Sequence, residues 1–172
     1  MKLDQQTWEN RFGVRHLQDL GLTFQGTPER KSKKFPFPSA IELTLPQGLT
    51  LNKVLQLAEK TIGKMTIDSS ILCELGERRL EETRVIVITD KDLPKSKGKC
   101  SNEPHLEECG CRIPDVIEIA ALSLFTPFPL YTQCANKALG SPLLVGRVTG
   151  LDVCFDHVIE VELSGFRAVM DL

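Results

Sequence analysis

The sequence predicts an α+β fold, a largely antiparallel sheet with a C-terminal β-meander and two or three packed helices. Three observations carry this. The stretch "TLNKVLQLAEKTIG" places apolar residues at helical spacing with a cap at each end. "RVIVIT" is a near-continuous apolar run of strand length. From Pro142 onward, short apolar runs alternate with the turn pairs "TG", "DH" and "SG".

In chain order, a helix is expected over residues 4–20. Asp4 is placed to cap it, Leu3 and Trp8 to staple its entry, and Gly21 to end it. Trp8, Phe12, Leu17 and Leu20 spread around this helix and Gly13 interrupts it, the pattern of an arm packed on a partner or on the main domain. The basic, proline-rich "TPERKSKKFPFP" that follows reads as a linker, since each proline lacks an amide donor and restricts its neighbour. Clustered Arg30, Lys31, Lys33 and Lys34 are more simply a solvated linker than a phosphate-binding patch, with Phe35 and Phe37 tucked against the core.

The domain proper begins with a half-buried strand over residues 41–45 and the turn "PQG". In the helix after it, Thr50 is the cap, Leu51, Val54, Leu55, Ala58 and Ile62 form the buried stripe, and Gly63 is the stop. Ile71, Cys73 and Leu75 alternate as a second strand does, and "RVIVIT" suits the middle of a sheet. "IPDVIEIAALSLF" predicts a buried helix with Asp115 and Glu118 as a capping box, with a strand as the alternative. Runs at 143–148, 151–155, 158–163 and 166–170 complete an antiparallel meander. The organisation expected is a helical arm and linker over residues 1–38 and a single α+β domain over residues 39–172.

Composition narrows the function. The chain has 172 residues, 41% apolar and 26% charged, which excludes disordered, collagen-like and low-complexity classes. A net charge of -2 supplies no field for drawing nucleic acid, so nucleic acid is not an expected partner. No run approaches the ~18 apolar residues of a membrane span. "MKLDQQTWEN" lacks the apolar stretch of an export signal, so a cytoplasmic location with reduced cysteines is the expectation.

The one stretch dense in chemistry is "KCSNEPHLEECGC". A helical turn between Asn102 and Gly110 brings His105 and Cys109 to one side, with Cys100 before it and Cys111 after it. Cys100, His105, Cys109 and Cys111 are thus the candidate zinc ligands, four donors of the type tetrahedral zinc requires. The spacing is not a paired CxxC pattern, and reduced cysteines in a polar surface loop explain it as well. The cofactor expectation is accordingly none, or zinc at this loop.

Elsewhere the motifs are sparse. No GxSxG or phosphate-cradling loop is present, and "SKGK" at Ser96 is too generic for a serine–lysine pair. Cys134 with His157 is a candidate nucleophile and base only if the fold joins them, and Asp152 and Asp156 read as turn residues. The leading expectation is a non-enzymatic intracellular protein-interaction module, its partner another protein or a second copy, contacting it through the arm or the two loops that share a PFP core, "KFPFPS" and "FTPFPLY". The alternatives are a small zinc protein or zinc-dependent enzyme, and a cysteine-dependent enzyme built on Cys134 or Cys109.

Overall fold

The structure, a computed structural model, describes residues 1–26, 34–63, 65–67, 69–93, 96, 104–127, 131–138, 141–146, 151–155 and 165–172. It is an α+β fold with two sheets. Strands β1 (Lys2–Leu3), β2 (Ala40–Leu45), β4 (Arg84–Thr89) and β9 (Val169–Asp171) form a four-stranded sheet in the order β1-β2-β4-β9. Within it β4 is antiparallel to both neighbours, and β1 lies parallel to β2. Strands β3 (Met65–Ile67), β5 (Thr132–Ala138), β6 (Ser141–Gly146), β7 (Leu151–Phe155) and β8 (Gly165–Phe166) form the second, ordered β3-β7-β6-β5-β8. β5, β6 and β7 form an antiparallel meander, in which β6 and β7 correspond to the runs expected at 143–148 and 151–155 and β5 is a strand the sequence did not suggest, while β3 and β8 add to its edges in parallel.

Between the sheets lies α6 (Val116–Ser123), which packs against β2 of one and β5, β6 and β7 of the other. Every one of its residues is buried, because "VIEIAALS" is apolar nearly all round and has a sheet on more than one side. Its start is the predicted capping box: Asp115 accepts from the Glu118 amide and Glu118 from the Asp115 amide. Helix α3 (Leu51–Thr61) packs beside it, with Thr50 accepting from the Lys53 amide at 3.2 Å. Leu51, Val54, Leu57 and Ala58 are its fully covered residues, so the buried face is centred on Val54 and takes in Leu57, with Leu55 and Ile62 at its opposite margin.

The turn before α3 needs glycine. Gly48 sits at φ +82°, and a Cβ there would approach the Gly21 carbonyl oxygen to 2.6 Å, too close for any side chain.

Three expectations change. The single helix over residues 4–20 is two, α1 (Gln5–Phe12) and α2 (Val14–Asp19), because Gly13 takes φ +82° and breaks the ladder between them. The strand expected at Ile71, Cys73 and Leu75 is instead helix α4 (Ser69–Leu75). Alternate spacing contains an i, i+4 pair: Ile71 and Leu75 share the buried face and Cys73 is exposed. The last run does not stay in the meander. Phe166 pairs beside β5, and the chain then crosses to the other sheet, where Val169 to Asp171 pair with β4. Arg167 and Ala168 make the crossing by bonding Thr89, through its carbonyl and its hydroxyl. The run at 158–163 lies outside the described residues, as do residues 27–33 of the basic linker.

The N-terminal segment is part of the main core. Trp8 is fully buried, its Nε1 donates to the Thr44 carbonyl at 2.7 Å, and its ring meets Phe12, Phe24 and Phe125. Phe35 and Phe37 meet edge to face and cover a smaller cluster around Phe166, Leu106 and Met170. Among the described residues no helix is long and apolar enough to cross a membrane.

Trp8→Ala removes this anchor and its hydrogen bond. A loss of about 3–5 kcal/mol is expected in urea denaturation, with Trp8→Phe losing less because the ring contacts persist.

Candidate functional site

Glu118 is the only fully buried acidic residue among those described, and its surroundings explain how a charge is kept there. It is held in α6 by the capping box, and two guanidiniums close on its carboxylate. Arg112 donates to Oε2 at 2.8 Å and Oε1 at 2.6 Å, the fork geometry that suits a carboxylate, and Arg84 of β4 reaches Oε1 at 3.3 Å. Arg112 turns its remaining donors to both oxygens of Asp171, at 3.0 and 3.2 Å, and to the Ile113 carbonyl. Its backbone also bridges to Val169 in both directions. Removing one partner of a buried ion pair costs about 3–5 kcal/mol, so this arrangement ties α6, β4 and β9 together as a unit.

The outer wall of the same cluster opens into a cavity of about 360 Å³ at the junction of the two sheets. Arg84 comes from the first sheet and Asn136 from the second, Asp115 and Val116 from the start of α6, and Arg78, Arg79, Glu81 and Glu82 from the segment after α4. That segment is fastened to the turn before α3: the Gly48 amide donates to the Leu80 carbonyl and the Leu80 amide to that of Leu49. Asn136 Oδ1 accepts from the Val116 amide at 2.7 Å, an additional cap on α6. The cavity is therefore lined by charged and amide groups on fixed backbone.

Burial pushes the Asp115 carboxyl above its ordinary 3.8, and the neighbouring Glu118 charge pushes the same way. The Glu118 amide, Arg112 and Arg84 oppose the rise without cancelling it. Arg112 moves upward: burial alone lowers it, but hydrogen bonds to Glu118 and then Asp171 outweigh that cost.

The cysteine-rich stretch is described only in part. Helix α5 (Pro104–Glu108) contains His105, and the Cys109 amide donates to the His105 carbonyl, so the two residues stand one turn apart, both exposed. Cys111 is 4% exposed, packed with Leu106, Ile113 and Phe166, and its thiol is pushed up by burial and then by Cys109. Cys100 lies outside the described residues. Among those described, no three His, Cys, Asp or Glu side chains are grouped to hold a metal.

The remaining sequence candidates disperse. Cys134 is fully covered in the main core, so no substrate reaches its thiol from solvent, and His157 and Asp156 lie outside the described residues. Asp152 sits within β7, opposite Gly146 of β6. Ser96 is buried and structural: its hydroxyl donates to the Leu93 carbonyl and accepts from the Phe166 amide.

The arginine groove is the feature that sequence reasoning missed. Its signal was the charged "GERRLEE", whose Leu80 is buried while its arginines are not; nothing in that string announces Asn136 or the start of α6 as the facing wall. No family model matches the chain, nor does any curated protein or solved structure.

Asp115→Asn keeps the capping oxygen and removes the charge. Because the folded carboxyl titrates above 3.8, the folded chain holds a proton that the unfolded chain has released, and stability falls as pH rises through that interval. In urea denaturation from about pH 4 to about pH 7, the Asn variant gains on the parent as pH rises; a constant difference excludes this role for Asp115.

Proposed function

We propose that this chain is a non-catalytic module that binds a polypeptide in the groove formed by the segment after α4, the start of α6 and β5. The observation that supports it is the groove's composition. Among the described residues, three arginines, two glutamates, an aspartate and an asparagine line it, but no cysteine, histidine or serine that could serve as nucleophile or imidazole base. Met1 and Val14 are the only large apolar side chains left exposed among the described residues, so the contact surface offered is polar rather than greasy. The aromatic residues of the N-terminal segment cover the domain's own core, which moves the contact surface from that arm to the groove.

A panel of short immobilised peptides of varied charge tests this. Several are expected to bind saturably, and Glu82→Trp, which fills the groove from its exposed rim, is expected to weaken them by roughly tenfold, a change of ~1.4 kcal/mol. Absence of saturable binding, or indifference to Glu82→Trp, overturns the proposal.

A second reading, a zinc clip on Cys100, His105, Cys109 and Cys111, is favoured by one observation: His105 and Cys109 are exposed one helical turn apart. Since zinc binds thiolates and the Cys111 thiol is pushed up, affinity should strengthen as pH rises. Native mass spectrometry of protein purified without chelator is expected to show one zinc, lost on changing Cys109 and Cys111 to serine; metal-free protein ends this reading.

A further inference from the structure

The groove's donors point to the chemistry of its occupant. Resting on the reading of the groove as a polypeptide site, we infer that it takes an acidic peptide segment through a carboxylate, with Arg78, Arg79 and Asn136 as its anchors. Asn136 has its Oδ1 committed to the Val116 amide, and its Nδ2 has no acceptor among the described residues. Arg78 is exposed and has no acidic partner among the described residues. Arg79 has only a solvent-facing contact to Glu81 at 3.2 Å, with both side chains more than half exposed, the kind of pair worth little. Arg84 on the same wall is already neutralised by Glu118, so it adds polarity to the site without needing a ligand.

A planar carboxylate matches an arginine fork in two parallel hydrogen bonds, and the amide of Asn136 supplies a further donor from the facing wall. The charge balance of the groove selects between oxyanions. Glu81, Glu82 and Asp115 line it along with the arginines, so the groove holds no excess of positive charge to offset the second charge of a dianion, and a single carboxylate held by the arginine fork is favoured. A phosphoryl group carries about -1.5 to -2 charges near neutral pH, whereas a glutamate or aspartate side chain carries one. The cavity of about 360 Å³ is at the small end of ligand sites, suited to a few side chains rather than a folded surface.

Fluorescence anisotropy with a labelled glutamate-rich peptide tests the inference, compared with the same peptide carrying glutamine and with one carrying phosphoserine in place of glutamate. The glutamate peptide is expected to bind about tenfold or more tightly than the glutamine peptide, and more tightly than the phosphoserine peptide. Arg78→Glu with Arg79→Glu, both surface changes, should lose about that factor, with circular dichroism confirming that the variant is folded. Asn136→Asp preserves the acceptor for Val116 while exchanging the amide donor for a carboxylate, and should weaken the glutamate peptide in the same direction.

Equal affinity for the glutamate and glutamine peptides, a tighter phosphoserine peptide, or binding unchanged in the folded Arg78/Arg79 variant overturns the inference. If the peptide panel still shows binding lost on Glu82→Trp, the module reading stands and the acidic preference alone falls. If no peptide binds in either experiment, both fall.

Discussion

The carboxylate of Glu118 is the point on which the fold turns. It is fully buried in a helix whose other residues are apolar except Ser123, and an uncompensated charge there would be prohibitive. Three elements answer it: Arg84 from the middle of the first sheet, Arg112 from the segment leading into α6, and Asp171, which holds the far side of Arg112. A residue whose local task is to cap a helix is thus also the residue that sets the position of that helix against a sheet. Apolar packing brings α6 between the sheets, and since the helix is apolar nearly all round, the paired guanidiniums add the directional contact that fixes which side of it meets β4.

A second polar junction performs a comparable task where the chain passes from one sheet to the other. Asp92 accepts from the Thr132 hydroxyl and the Gly165 amide, and Arg167, buried, lies 3.7 Å from the same carboxylate. A Cβ on Gly165 would approach Ser96 Oγ to 2.6 Å and Asp92 to 2.9 Å, so the close crossing depends on glycine there. Burial lowers the Arg167 guanidinium while Asp92 and Asp90 raise it, with the burial effect larger. Both junctions put charged groups at the seams between apolar layers, where they fix alignment that area burial alone leaves loose.

What could be read in the sequence followed from the range of the interaction. The capping box of α6 and the cap of α3 depend on residues three apart, so local spacing was sufficient. Ile71, Cys73 and Leu75 fit two periods at once, and only packing against the core decides between a two-residue and a four-residue repeat. Glu118 was legible as a cap, but its partnership with Arg84 and Asp171 was not, since those residues meet it, or its partner Arg112, only across strand pairings distant in the chain. The groove was hidden for the same reason. Its arginines stand in a charged string that resembles any solvated turn until Asn136 and the start of α6 are set opposite it.

The pairing of Ile86 with Asp171 has a consequence for how the protein is made. On the ribosome, β2 and β4 emerge before β9 and can pair once the segment carrying α3 and α4 has folded between them, leaving one flank of β4 with its backbone groups unpaired until residues 169–171 arrive. That flank is a template for any neighbouring nascent chain throughout the interval. Sealing it waits on a contact between segments far apart in the chain, so exposure to aggregation during folding is governed by the delay before β9 docks rather than by the stability of the finished fold.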